Sequence, residues 1–215
     1  REELFFPTLE RAPFLKKFSI LHRSAIGAVC FHAVTETSLI CTEELFTPGV
    51  VADKMYFIAM GIMEYQHMSL LREEDHELKK NQWVGEPVLW MRWTHFGTLL
   101  ARTACEIIEL GAVEFRKVAL ASEPSAAFFS EYARLFVDHL VKSDHWATDV
   151  WMDEDDLEEL VRRASGEDED AQQSPSQRSL SDNSAWSMSS ARSSVASWIG
   201  RQTRGLTELA RGGTS

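Results

Sequence analysis

Residues 46–65, FTPGVVADKMYFIAMGIMEY, decide the fold of this chain. Pro48 and Gly49 predict a tight turn, and Gly61 predicts a second turn inside the apolar run that follows. With the preceding segment SLICTEELFTPG, this run predicts two or three short strands, because it is rich in aromatic and branched residues and is interrupted by turn residues. The stretch therefore indicates a sheet built from short hairpins.

Two neighbouring segments extend the sheet. In TLLARTACEIIEL, residues 98–110, a compact apolar set alternates with the outward-pointing Arg102 and Glu106, which predicts one half-buried strand. The set comprises Leu99, Ala101, Thr103, Cys105 and Ile107. The charged stretch LLREEDHELKK, residues 70–80, predicts a hairpin loop between strands.

The sequence on either side of the sheet predicts helices. PFLKKFSILHRSAIGAVCFHAV, residues 13–34, has apolar residues at steps of three and four, which predicts a helix. After the strands, GAVEFRKVAL and SAAFFSEYARLFVDHLVKSD predict two more helices, with Pro124 in a first turn. The second has one apolar face, formed by Phe129, Tyr132, Phe136 and Leu140. The predicted class is α+β: an antiparallel, jelly-roll-like β-roll of about eight short strands between an N-terminal helix and C-terminal helices.

Composition and charge limit the function. The 215 residues carry a net charge of −11, which argues against a nucleic-acid partner because such binding needs clustered Lys and Arg. No apolar run in the sequence is long enough for a membrane span. The sequence has neither a catalytic triad nor a phosphate-binding Gly-Lys-Ser/Thr motif, so no enzymatic activity is expected. Residues 143–164 predict an acidic C-terminal helix. Residues 165–215 are rich in serine and predict a disordered tail, with a short amphipathic helix at 194–210 as an alternative to coil.

A candidate anion site lies in VGEPVLWMRWTHFGTLLA, residues 84–101. Gly85 and Glu86 precede a predicted short helix, where free backbone N–H groups and the helix dipole favour an anion. His95 follows nine residues after Glu86. The stretch raises the question of whether a histidine at this position can still hold a phosphate.

Together these two stretches resemble cyclic-nucleotide-binding domains. FTPGVVADKMYFIAMGIMEY is similar to the first glycine-rich turn of that family, and residues 84–101 are similar to its phosphate cassette. EFRKVALASEP resembles the helix after the roll, and FFSEYARLFVDHLVK the lid helix. The resemblance spans roughly residues 12–142, so residues 13–142 are expected to form the domain and residues 1–12 the end of a linker.

The resemblance implies a ligand and its contacts. The ligand would be cAMP or cGMP; no other cofactor and no metal site is expected. A glutamate at position 86 would bind the ribose, and the cation for the phosphate would stand at position 95. The implied nucleotide-binding set is Gly85, Glu86, His95, Phe96 and Thr98, and the implied lid or base contacts are Phe129, Tyr132 and Phe136.

The cassette departs from the family at two positions. His95 replaces the phosphate-binding arginine and is not a permanent cation at neutral pH, while Phe96 replaces a small residue. Arg92, three residues earlier, is a candidate substitute for the missing arginine. Two alternatives follow: a homology domain that works without nucleotide, in which Glu86 and His95 are structural, or a domain with weak or altered nucleotide binding.

The first eighteen residues, REELFFPTLERAPFLKKF, are similar to the segment that joins the pore to this domain in cyclic-nucleotide-regulated and voltage-gated potassium-type channels. This resemblance implies a regulatory domain at the cytoplasmic face of a membrane, attached to it only through a region outside this chain, in a channel assembled from several like subunits. The alternatives are a soluble sensor of the protein-kinase regulatory-subunit type and a ligand-free scaffold.

Overall fold

A computed structural model describes residues 1–68, 76–142, 148–150 and 153–167. Residues 1–167 form one compact unit. Apart from residues 165–167, the predicted tail lies outside the described residues, as do its alternative helix and most of the residues predicted as a hairpin loop at 70–80.

Three helices precede the strands. They are α1 (Glu2–Leu9), α2 (Pro13–Leu21) and α3 (Arg23–His32). The helix predicted over residues 13–34 is therefore wrong in its continuity: the backbone leaves helical geometry at His22, with φ −135° and ψ 60°. Residues 1–12, predicted as linker, contain α1, whose Phe5 and Leu9 are buried in the core.

In the described part of the chain, eight short strands form two antiparallel sheets; about eight strands in an antiparallel roll were predicted. They are β1 (Val34–Leu39), β2 (Glu44–Phe46), β3 (Lys54–Met60), β4 (Ile62–His67), β5 (His76–Lys79), β6 (Trp83–Val84), β7 (Gly97–Ala101) and β8 (Cys105–Gly111). One sheet has the order β1-β8-β3-β6 and the other β2-β7-β4-β5. The antiparallel β-roll expected from the sequence is confirmed.

Two of the strand predictions need correction. The single strand predicted over residues 98–110 is two strands, because β7 pairs with β4 in one sheet while β8 pairs with β3 in the other. The chain crosses between the sheets at residues 102–104 without a Gly or Pro to mark the turn. The predicted loop at 70–80 ends in strand β5, which pairs with β4 and buries Leu78 between charged neighbours.

The remaining helices surround the roll. They are α4 (Pro87–Trp90), α5 (Ala112–Ala119), α6 (Glu123–Lys142) and α7 (Glu154–Ala164). The predicted apolar face of α6 is confirmed, since Phe129, Tyr132, Phe136 and Leu140 are all buried. The acidic helix predicted from residue 143 is α7, which starts only at Glu154 with the Asp153 side chain accepting from the Asp156 N–H, and residues 148–150 are not helical.

The interior has two apolar clusters. The larger lies between the helices and the β1-β8-β3-β6 sheet and contains an aromatic group of Phe14, Trp90, Phe115, Phe129 and Tyr132. The smaller lies between the two sheets and includes Val150. No described helix has the length and apolar content that a bilayer span requires.

Candidate functional site

The two stretches singled out in the sequence bind each other through their backbones. The N–H of Gly49 donates to the His95 carbonyl at 2.9 Å, and the His95 N–H donates to the Val50 carbonyl at 2.9 Å. The Ala52 N–H donates to the Trp93 carbonyl at 3.0 Å. The glycine-rich turn thus fixes the loop that carries His95, which explains why the two motifs occur together.

The anion site contains a carboxylate from the chain itself. Asp149 lies in residues 148–150, hereafter the inserted segment, and its side chain is fully buried. Its Oδ2 accepts from the backbone N–H groups of Phe96 at 2.7 Å and Gly97 at 3.2 Å. Two backbone donors on one oxygen are the arrangement expected for an anion site.

Three side chains complete the cradle around Asp149. The indole N–H of Trp93 donates to Oδ1 at 2.7 Å, and the Tyr65 hydroxyl donates to Oδ2 at 2.8 Å. Nδ1 of His95 lies 2.9 Å from Oδ1, and we assign the hydrogen of that contact to the imidazole because the four other groups around this carboxyl all donate to it. We call the residues that donate to the Asp149 carboxylate the anion pocket: Tyr65, Trp93, His95, Phe96 and Gly97.

The orientation of His95 is fixed by packing. Its ring stacks on Phe46 with centroids 3.7 Å apart and planes 6° from parallel. Only 3% of the residue is exposed. The imidazole therefore points at Asp149 and not at solvent.

Gly97 is required by the close approach of Tyr65. A Cβ on Gly97 would lie 2.5 Å from the Gln66 carbonyl oxygen and 2.6 Å from the Tyr65 ring. A side chain there would push away the tyrosine whose hydroxyl holds Asp149. The small residue thus preserves the shape of the anion pocket.

The backbone of the inserted segment is recognised as well. The Asp149 N–H donates to the Tyr65 hydroxyl at 3.2 Å, and the Gly85 N–H donates to the Asp149 carbonyl at 2.9 Å. Gly85 has φ +81°, a conformation that favours glycine. Val150 then buries its side chain in the smaller apolar cluster.

Glu86 occupies a separate buried position next to this site. Its carboxylate accepts from the Trp83 indole at 3.0 Å and from the Tyr132 hydroxyl at 3.1 Å, and 2% of the residue is exposed. Burial raises the pKa of Glu86 to about 7, an effect that these hydrogen bonds only partly offset. Burial, and then the nearby Glu86, raise the pKa of Tyr132 well above its usual value.

The structure brings some of the predicted site residues together and not others. Gly85, His95 and Phe96 all contact Asp149, whereas Thr98 is half-buried on β7 opposite Gln66. The predicted lid residues Phe129, Tyr132 and Phe136 are buried around Trp90. Arg92 is exposed. A nucleotide contact by these residues therefore stays a prediction.

Asp149, Tyr65 and Trp93 were missed by sequence reasoning. Asp149 lies outside residues 84–101, and nothing in the sequence distinguishes it from the other acids around it. Tyr65 and Trp93 look like ordinary core aromatics. The one related signal was His95 in place of the family's arginine, which implied weak or absent nucleotide binding and did not point to Asp149. Within the described residues, no group of His, Cys, Asp and Glu could hold a metal ion.

Comparison with known proteins supports the fold. No protein-family profile matches the sequence, and no curated protein matches it either. Among solved structures, the N-terminal domain of a transcriptional regulator from Streptomyces coelicolor A3(2) is 20% identical, with a TM-score of 0.51; the match covers 63% of this chain and 94% of that one. This similarity shows the fold alone.

Two further solved structures match with lower TM-scores. A cyclic nucleotide-binding-like protein from Brucella abortus is 23% identical over 47% of this chain and 87% of that one, with a TM-score of 0.41. A kinase regulatory domain described as "Sp-2Cl-cAMPS bound to PKAR CBD2" is 14% identical over 54% of this chain and 75% of that one, with a TM-score of 0.42. None of the three is described as part of an ion channel, so the channel context is a proposal.

Proposed function

We propose that this chain is a non-enzymatic regulatory domain of the cyclic-nucleotide-binding type whose anion pocket is filled by its own Asp149. The observation that carries the proposal is the set of five donors on that one buried carboxylate. In this proposal the resting domain holds no nucleotide, and the inserted segment occupies its anion pocket. The domain regulates its partner by binding or releasing that segment.

The exchange of arginine for histidine fits this proposal. A long guanidinium suits a phosphate, which is large and permanently charged, whereas an imidazole suits a carboxylate that comes close on a side chain of the same chain. Because Asp149 occupies the donors that an anion would need, a cyclic phosphate could bind only by displacing it. An attached segment competes at an effective concentration of about millimolar, so weak nucleotide binding would be masked.

Hydrogen bonds join α4 and the Glu86 that precedes it to the helices that would carry a signal. Arg116 on α5 donates from Nη1 to the carbonyls of Val88 at 2.9 Å and Leu89 at 3.4 Å on α4. Glu86, which precedes α4, accepts from Tyr132 on α6. A displacement of α4 would therefore also displace α5 and α6.

Helix α7, which begins at Glu154, four residues after the inserted segment in the sequence, contacts the N-terminal helix α2. Leu157, Leu160 and Val161 are buried in the same cluster as residues of α2 and α6. Lys17 on α2 pairs with Glu167 just after α7. Loss of Asp149 from the pocket would free α7 to move relative to α2, provided that the displacing ligand binds the two arrangements with different affinity.

The channel context rests on the resemblance of residues 1–18 to the segment after a channel pore. In that context the domain lies at the cytoplasmic face of a membrane and α1–α3 join it to the gate, with like subunits assembled around the pore. The competing contexts are a soluble sensor of the kinase regulatory type and a scaffold. A pore-forming segment encoded upstream in the same gene supports the channel; a kinase-associated or helix-turn-helix segment there contradicts it.

Thermal unfolding of the full chain with millimolar cAMP or cGMP tests the proposal at the level of the pocket. A ligand present at a hundred times its Kd adds about 2.7 kcal/mol, a shift of several degrees. We expect neither nucleotide to shift the unfolding temperature of the wild-type chain. The change Asp149→Ala should itself alter the unfolding temperature, whereas Asp155→Ala, at an exposed acid on α7, should not. A clear nucleotide shift in the wild type would favour the second candidate, a working nucleotide sensor.

A further inference from the structure

The pocket recognises the inserted segment as a peptide, not only as an anion. Of the contacts to Asp149, two involve its backbone: the N–H to the Tyr65 hydroxyl and the carbonyl to the Gly85 N–H. A phosphate oxygen could also accept from the Gly85 N–H, but an ionised cyclic phosphate carries no hydrogen to donate to the Tyr65 hydroxyl. The contact with Tyr65 therefore favours a polypeptide over a cyclic phosphate.

The residue after the aspartate adds a second element of recognition. Val150 is 3% exposed and belongs to the apolar cluster between the two sheets, whose members also include Leu39, Phe46 and Tyr56. A β-branched side chain is stiff and loses little freedom on burial. The site thus binds an acidic side chain, the backbone of that residue, and the apolar side chain of the next residue.

We propose that the anion pocket is a binding site for short peptides with the sequence Asp followed by Val or a similar branched apolar residue, and that such a peptide supplied by another chain can replace residues 148–150. The inference rests on the proposed function, because it takes Asp149 as the normal occupant. The partner is thereby defined by its chemistry: an exposed, acidic Asp-Val segment.

Replacement in trans has a clear energetic requirement. The chain's own segment is covalently attached, so a free peptide must overcome an effective concentration of about millimolar. Removing the Asp149 side chain takes away the five contacts to the carboxylate of the competitor, while its two backbone contacts and all the donors of the pocket stay in place. Asp149→Ala should therefore weaken the competitor and let a free peptide bind.

The test is fluorescence anisotropy with a labelled synthetic peptide of residues 145–153, HWATDVWMD, added to full-length chains. We expect saturable binding to Asp149→Ala and at least tenfold weaker binding to the wild type. The matched peptide HWATAVWMD should bind Asp149→Ala at least about a hundredfold more weakly, since two hydrogen bonds to a charged group contribute about 3 kcal/mol or more. A second change in the protein, Tyr65→Phe in the Asp149→Ala background, should weaken binding of HWATDVWMD by about tenfold.

Equal binding of the two peptides, or none, would overturn the inference. If Asp149→Ala is partly unfolded, the unfolding temperature replaces anisotropy: HWATDVWMD should raise it and HWATAVWMD should not. Asp149→Asn, which keeps the shape of the segment, then serves as the partly opened variant and should bind the peptide more weakly than Asp149→Ala.

Adding cAMP and cGMP to the same samples separates this inference from the proposed function. Tighter binding of a nucleotide than of HWATDVWMD to Asp149→Ala overturns the peptide site and leaves Asp149 as an internal occupant of a nucleotide site. Nucleotide binding to the wild type contradicts the proposed function itself. Tighter peptide binding, with no nucleotide effect on the wild type, supports both.

The source of the peptide is settled by mixing chains. If Asp149→Ala forms a complex with the wild-type chain in size-exclusion chromatography, the segment of a second copy is a competent ligand. If the chains stay separate while the free peptide binds, the partner is a different protein with an accessible Asp-Val segment. Either result is compatible with the peptide site.

Discussion

Nδ1 of His95 lies 2.9 Å from Oδ1 of Asp149, and only 2% and 0% of the two side chains are exposed. This contact answers the question raised by the cassette. The histidine that stands in the arginine's place has an anionic partner, and that partner belongs to the same chain. Compared with the cassette of cyclic-nucleotide-binding domains, both the side chain at position 95 and the group that it contacts therefore differ.

Removing the Asp149 side chain should strongly destabilise the folded chain. Asp149→Ala leaves five buried donors without their acceptor, and losing one partner of a buried charged group costs about 3–5 kcal/mol. Urea unfolding followed by tryptophan fluorescence measures the loss. Asp155→Ala, at an exposed site on α7, should stay within about 0.5 kcal/mol of the wild type. Equal effects of the two changes would refute the role of Asp149.

Glu86 should make stability fall as the pH rises. Its pKa is about 7 in the folded chain against 4.5 for an ordinary glutamate, so the folded state holds its proton more tightly. The resulting stabilisation is complete below pH 4.5 and disappears as the pH passes 7; at about 1.4 kcal/mol per pKa unit it amounts to about 3 kcal/mol.

Glu86→Gln isolates this effect, because the amide cannot ionise and the Tyr132 hydroxyl can rotate to accept from it. Between pH 5 and pH 8, the free energy of unfolding should drop by about 2–3 kcal/mol more in the wild type than in Glu86→Gln. Urea titrations at four pH values provide the comparison. Parallel pH profiles for the two proteins would show that Glu86 does not keep its proton in the folded state.

The roll could be predicted from the sequence because its signals are local. Pro48, Gly49 and Gly61 mark turns, and the spacing of apolar residues on α6 marks a buried face. The crossing between β7 and β8 could not be predicted, since the alternation of apolar and polar residues continues through it and no turn residue interrupts it. Strand β5 was hidden because Leu78 is its one fully buried residue.

Half of the candidate site could be predicted for the same reason. The positions of Gly85 and His95 follow from one continuous stretch that resembles a known cassette. Asp149 is 54 residues away from His95 in the sequence, and pairing over that distance depends on how α6 and the inserted segment fold back onto the roll. Local periodicity carries no information about such a contact.

Tyr65→Phe should loosen the inserted segment without emptying the pocket. The change removes one hydroxyl that both donates to Asp149 Oδ2 and accepts from the Asp149 N–H, which should cost about 1–3 kcal/mol. Tyr56→Phe is a matched control, because Tyr56 is buried on β3 and makes no contact with Asp149 in the described part of the chain. Hydrogen exchange at Asp149 and Val150 should speed up in the first variant only.

Leu157→Ala tests whether α7 is held through its apolar face. Leu157 is fully buried, so truncating it should cost about 2–5 kcal/mol, whereas Glu158→Ala on the exposed side of the same helix should be nearly neutral. Because α7 follows the inserted segment, amide exchange should increase in α7 and at Asp149 together in Leu157→Ala. An increase limited to α7 would contradict the coupling between the helix and the pocket.

Restoring the family's arginine should produce nucleotide binding only when the pocket is also emptied. In His95→Arg alone, the longer side chain meets both the Phe46 ring and the Asp149 carboxylate, so we expect lower stability and no response to cAMP or cGMP. In the double variant His95→Arg, Asp149→Ala, a permanent cation faces the free N–H groups of Phe96 and Gly97, and millimolar nucleotide should raise the unfolding temperature by several degrees. His95→Arg with Asp155→Ala is the control and should not respond. If the double variant also fails to respond, the engagement of Glu86 by Trp83 and Tyr132 has closed the ribose side of the pocket as well, and adding Tyr132→Phe should then recover part of the binding.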